Sequence, residues 1–206
     1  MKVVKILLGV IAGVLVLLFI GSFFISSNFR VSDTQTLKAS PEAVYNELIT
    51  AEEWKNWSYW NTLDDNIKLT YSGPKSGVGS SYSWSSEKKE LGKGTSTVTE
   101  VQPNSYVKIG LEFEGEGSGV AEYILKPKDG GTEVTTGFNS ETSGFFEKWM
   151  SRIMGKPMMK KAFKSTMEAM DKYLAENPAP APAPETEDID TSGGKEIKTG
   201  TDPNKP

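Results

Sequence analysis

The side chains able to do chemistry in this 206-residue chain are few in kind, because it contains neither histidine nor cysteine. Without histidine, Ser-His-Asp triads and the common zinc sites cannot be assembled, and without cysteine there are no thiolate ligands and no disulfides. Any catalysis would have to rest on Asp, Glu, Lys, Tyr or Ser. Paired carboxylates are one route to acid-base work, and two groups come near: Glu112, Glu114 and Glu116 on one strand face, and Asp64 with Asp65 in a loop. Both are expected to face water, so no catalytic pair, metal site or cofactor is expected. Gly77-Val78-Gly79 fits neither phosphate-loop pattern, and a turn needing positive φ accounts for it. A formal charge of −4, with no basic cluster read from it, gives no footprint for nucleic acid.

Aromatic and methionine residues are the more informative set. Trp54, Trp57 and Trp60 fall within seven positions in "ASPEAVYNELITAEEWKNWSYW". Three roles compete for them: a stacking platform, a membrane-interface belt, or a brace for short helices with one indole rimming an opening. A stacking platform lacks basic partners, and a belt would lie about 30 residues beyond the only apolar span. The third role is the expected one, with Trp57 or Trp60 at the rim.

These residues must be positioned by elements legible in the pattern. Phe29–Leu37 reads as a strand, and Ser40-Pro41 caps a helix bearing Val44, Tyr45, Leu48 and Ile49 on one stripe. Thr50 and Glu53 have capping-box spacing, with Ile49 and Trp54 as the staple, which predicts a second short helix from Thr50. From Asn66 the period becomes two, predicting strands at 67–71, 80–86, 94–101, 106–113, 120–127 and 132–139, separated by turn signals such as "SGPKSG", "QPN" and "KDGG". Helical period returns near Ser143. After a break at Gly155-Lys156-Pro157, a long helix places Met159, Phe163, Met167, Met170 and Leu174 on one face, ending at Asn177-Pro178. Strand, two short helices, six strands and a long helix imply an α+β fold: a seven-stranded curved antiparallel sheet wrapped around the last helix.

Alternation assigns the faces. Tyr82 with Trp84, Val107 with Ile109, Leu111 and Phe113, Tyr123 with Leu125, and Val134 with Thr136 and Phe138 point to the apolar side. Lys108, Glu112 and Glu114 point to water. The methionines, flexible and polarizable, suit either an adaptable ligand wall or an irregular core.

The ends lie outside this domain. Ile6–Ile25 is an uncharged run of about 20 residues, enough to cross a bilayer core of roughly 30 Å as a helix, and longer than the apolar part of a cleaved signal, with no small-residue cleavage site after it. Lys2 and Lys5 precede it, so residues 1–28 are expected to anchor the chain in the cytoplasmic membrane with residues 30 onward on the outer, periplasmic or extracellular, side. Residues 177–206 are rich in Pro, Thr and charge and are expected to be disordered.

The order of elements over 29–176, together with "ASPEAVYNELITAEEWKNWSYW", "YSGPKSGVGSSYSW", "LGKGTSTVTEVQPNSYV", "GGTEVTTGF" and "MMKKAFKSTMEAMDKYL", resembles the START-like or polyketide cyclase/dehydrase superfamily (SRPBCC, helix-grip). The local match is to its bacterial polyketide-cyclase-like branch. The resemblance implies a deep apolar cavity between sheet and final helix, of the kind used for lipids, sterols, polyketides and quinones. It puts Trp57, Trp60, Tyr82, Trp84, Leu111, Phe113, Tyr123, Phe138, Phe163, Met167 and Met170 forward as ligand-binding residues. The expected function is binding or transfer of a small hydrophobic ligand by a membrane-anchored domain. Two alternatives stay open: a cyclase or dehydratase using a Tyr such as Tyr123 or a carboxylate as proton donor, which the lack of histidine disfavours, and an envelope interaction protein whose tail recruits a partner. No protein partner is identified by the sequence.

Overall fold

A computed structural model describes residues 2–115, 117–142 and 144–178. After the N-terminal helix α1 (Lys2–Ser22), the chain forms β1 (Asn28–Leu37), α2 (Pro41–Leu48), α3 (Trp54–Trp57) and a single tight turn of 3-10 helix, Tyr59–Thr62. Six strands follow: β2 (Lys68–Ser72), β3 (Ser81–Ser85), β4 (Lys93–Gln102), β5 (Tyr106–Phe113), β6 (Gly117–Lys128) and β7 (Gly131–Glu141). Helix α4 (Phe145–Met150) runs through a π-helical segment, Ser151–Gly155, into α5 (Lys156–Glu176).

The seven strands form one antiparallel sheet in the order β1-β7-β6-β5-β4-β3-β2. β2 to β7 form a meander, and β1 closes it by pairing with β7, Val31 opposite Phe138. A bulge between Val98 and Glu100 in β4 adds twist where the sheet must curl. The inward positions follow the alternation: in β7, Thr132, Val134, Thr136 and Phe138 are buried while the residues between them are half-exposed.

Two apolar clusters hold the layers together. The first joins Leu37, Val44, Leu48, Trp54, Val98, Val107, Val134, Met170 and Leu174. The second joins Phe29, Val31, Phe138, Met159 and Phe163, with Trp60, Leu111 and Phe113 against it. Full burial of one such aliphatic side chain contributes roughly 1.5–3 kcal/mol, so these clusters set the position of α5 over the sheet.

Three local expectations are corrected. The capping box does not form: the Thr50 hydroxyl donates back to the Asn46 carbonyl, the helix begins at Trp54, and Glu53 instead accepts from the Tyr173 hydroxyl at 3.0 Å. Nor does the chain break at Gly155-Lys156-Pro157. Lys156 N–H bonds to the Ser151 carbonyl, five residues back, and this widened turn accommodates a proline that lacks its own N–H without interrupting the axis. Asp64 is 5% exposed rather than solvated, accepting from the Ser86 hydroxyl and Asn66 N–H, which hold its carboxyl below the usual range. Glu112 and Glu114 are exposed as expected. Glu116 and the tail beyond residue 178 lie outside the described residues.

Candidate ligand-binding site

Between the concave face of the sheet and α5 lies a cavity of about 320 Å³. That is the lower end of the range of roughly 300–1,000 Å³ typical of small-molecule sites. Its floor comes from five neighbouring strands: Tyr82 and Trp84 (β3), Ser96 (β4), Ile109, Leu111 and Phe113 (β5), Ala121 and Tyr123 (β6), and Thr136 and Phe138 (β7). Its roof is Met158, Met159, Phe163, Thr166 and Met167 of α5. One side is closed by Trp54, Trp57, Ser58, Trp60 and Asn61, and another by Leu91 with Lys89, Glu90 and Lys93 from the β3–β4 connection.

The aromatic wall is ordered by edge-to-face contacts. Trp54 meets Tyr82 at 5.5 Å, Tyr82 meets Trp84 at 6.1 Å, and Trp84 meets Phe113 at 5.6 Å between ring centroids. Each such pair contributes about 0.5–1.5 kcal/mol beyond burial. The indole N–H groups are also committed: Trp54 to the Leu48 carbonyl at 3.1 Å, Trp57 to the Glu47 carboxylate at 3.0 Å, and Trp84 to the Leu91 carbonyl at 2.9 Å. Trp54 and Trp57 are therefore braces, 4% and 3% exposed, while Trp60 is half-buried and edge-on to Tyr59. Helix α5 is tied to this group because Tyr59 N–H donates to the Thr166 hydroxyl at 3.1 Å.

Two glycines make room for the wall. A β-carbon on Gly94 would strike the Trp84 ring and the Glu112 carbonyl, and one on Gly119 would lie 2.7 Å from the Phe138 ring. These strands give up a side chain so that the rings can lie across them.

Polarity inside the cavity is sparse and partly unspent. The Thr136 hydroxyl oxygen and the Asn61 amide oxygen are both buried and lack a hydrogen-bond partner among the described residues. Thr136 is 2% exposed and stands directly opposite Tyr123 across the β6–β7 pair. Burial pushes the Tyr123 phenol up to about 12 and raises that of Tyr82 further still. Glu47, under Trp57, is also raised, chiefly by burial, with the indole bond opposing. The charged residues on the cavity, Lys89, Glu90, Lys93 and Glu114, are all exposed to solvent.

Ten of the eleven residues put forward from the sequence line this one cavity: Trp57, Trp60, Tyr82, Trp84, Leu111, Phe113, Tyr123, Phe138, Phe163 and Met167. Met170 does not. It is 0% exposed and belongs to the first cluster with Leu37, Val44 and Leu48, whereas Met167, a member of the same cluster, also borders the cavity. Asn61 and Leu91 went unrecognised because neither lies in a periodic segment. Thr136 is one of two threonines on the inward face of β7, and the sequence alone does not distinguish it from Thr132, whose hydroxyl donates to the Ala39 carbonyl.

A family model described as "Polyketide cyclase / dehydrase and lipid transport" matches residues 28–175. Among solved structures, the protein of unknown function SA2116 from Staphylococcus aureus aligns at a TM-score of 0.55 and 15% identity, covering 72% of this chain and 96% of its own. MLL2253 from Mesorhizobium loti aligns at 0.52 and 15%, covering 73% and 99%. Ara h 8.0201 aligns at 0.53 and 11%, also covering 73% and 99%. Likeness at these identities shows the fold alone. No curated protein matches the sequence.

Proposed function

The chain belongs to the polyketide cyclase/dehydrase and lipid transport family, and on that footing we propose that it binds or transfers a small, mostly apolar molecule carrying one uncharged hydrogen-bonding group. It does so while held by α1 at the outer face of the cytoplasmic membrane. The observation that carries this reading is an apolar-walled cavity of about 320 Å³ holding an orphaned Thr136 hydroxyl. A buried polar group without a partner costs about 1–3 kcal/mol, and a ligand oxygen at Thr136 and Tyr123 would recover that cost. Neutrality of the inner group follows from the charged lining residues, all of which are solvent-exposed, since an ion buried without a partner is strongly disfavoured. The apolar remainder gains roughly 25 cal/mol for each Å² removed from water.

Proton-transfer chemistry fits less well. Tyr123 near 12 is a hydrogen-bond donor at neutral pH and a poor acid.

Saturable quenching of tryptophan fluorescence in the detergent-solubilised full chain by 12-bromododecanol, and weaker quenching by 1-bromododecane, is the expected result. Thr136→Val should lower the alcohol's affinity roughly tenfold, equivalent to about 1.4 kcal/mol, and leave that of the bromoalkane unchanged. Absence of saturable quenching by either probe, with no small molecule retained by the purified chain in native mass spectrometry, would end the ligand-binding reading.

A further inference from the structure

Helix α4 and the π segment after it have an apolar surface that the core does not use. Phe146 is 64% exposed, Ile153 64%, Met154 60% and Met158 51%. This surface is continuous with the end of α1. Trp149 Nε1 donates to the Leu18 carbonyl at 3.0 Å, Phe145 meets Phe19 edge-on at 5.8 Å, and Gly21 leaves space for the Trp149 ring. The Arg152 guanidinium then bridges the carbonyls of Ser26 and Asn28 at 3.3 and 3.2 Å, fixing the connection between α1 and β1. The last turns of α1 and the exposed face of α4 therefore occupy one layer, with Phe23 and Phe24 also exposed there.

Charge supports the same assignment. The chain is acidic overall, which conceals a local basic face: Lys148, Arg152, Lys156, Lys160, Lys161 and Lys164 fall in a stretch, 144–164, whose only carboxylate is Glu147. Lys160, Lys161 and Lys164 are exposed and the other three half-buried; apolar side chains beside such cations, with a tryptophan at their edge, are the composition of a helix lying in an anionic bilayer interface.

We propose that residues 145–158 form a second membrane contact, seated on anionic phospholipid beside α1, and that this contact turns the cavity mouth toward the bilayer. Met158 joins the two features, being exposed on the membrane-facing surface and also part of the cavity wall. A ligand dissolved in the bilayer would then reach the cavity without crossing water. The inference rests on α1 being a membrane anchor.

The absence of cysteine makes single labels possible throughout. In the full chain reconstituted in phosphatidylcholine vesicles with and without phosphatidylglycerol, NBD labels at Phe146→Cys and Met154→Cys should be quenched by doxyl-lipids several-fold more than a label at Val78→Cys, an exposed apolar site away from α1. The quenching should increase with phosphatidylglycerol and weaken in the double variant Lys160→Glu/Lys161→Glu. A label at Val14→Cys reports the anchor itself. Quenching at Val14 with none above the Val78 level at Phe146 and Met154 overturns this inference and leaves the anchor standing. No quenching at Val14 removes the anchor, and this inference with it. Shielding of the Phe146 label from iodide without doxyl quenching would assign the face to a protein and overturn the proposal.

Discussion

Met167 and Met170 lie three residues apart on the same stripe of α5 and belong to the same apolar cluster, yet only Met167 also borders the cavity. Met170→Ala is therefore expected to destabilise the fold by about 2–5 kcal/mol and to leave 12-bromododecanol affinity unchanged, as measured by urea unfolding and fluorescence titration. Glu47 makes a second residue-scale test. Its folded-state pKa is raised above the ordinary 4.5, mainly by burial, so the folded state binds its proton more tightly than the unfolded state does. That contribution favours folding below the window between the two values and is lost as pH rises through it. Glu47→Gln keeps an oxygen for the Trp57 N–H and removes the titration. Urea midpoints should fall less steeply with rising pH above about 4.5 in the variant than in the wild type, and equal slopes would show that Glu47 is not the group responsible.

At the scale of the element, the sheet carries its aromatic wall only because two strands omit a side chain. Gly94→Ala forces a methyl group into the Trp84 ring and the Glu112 carbonyl, so a loss of about 1–3 kcal/mol is expected in chemical denaturation. Displacement of the Trp84 ring into the cavity should also weaken probe binding. Wild-type affinity in a folded Gly94→Ala protein would show that the ring does not shape the site. The turn at Gly77-Val78-Gly79 is likewise settled by backbone demands: Gly77 and Gly79 have φ of 83° and 92°, conformations open to glycine at no steric cost. The continuity of α4 with α5 has a mechanical consequence, since the π segment links the surface beside α1 to the cavity roof through one unbroken helical path.

For the whole molecule, the governing relation is between α1 and the domain. The N-terminal helix is long and apolar enough to span a bilayer. If it is a retained anchor, the chain should stay in the membrane fraction through alkaline carbonate and high salt. Appearance of a shorter, soluble form lacking α1 would show it to be a cleaved signal.

Periodicity, turn residues and the missing histidine and cysteine determined the seven strands and the six-strand meander among them, its inward faces, the amphipathic last helix and the exclusion of the common metal and triad chemistries. Those features are local or alternate along a strand, so one chain read in order reveals them. Thr50 and Glu53 show the limit even for local signals, because a capping box competes with bonds to Asn46 and Tyr173 that close in three dimensions. Whether the inward residues meet or leave a gap was decided only by tertiary structure: Thr136 and Met167 border a void while Met170, on the same stripe as Met167, does not. The reason is that enclosed volume depends on the curvature of the sheet and the height of α5 above it, sums over many residues that no single segment encodes. The seating of α4 against α1 is of the same kind, since it joins Trp149 to Leu18 across a separation of 131 residues.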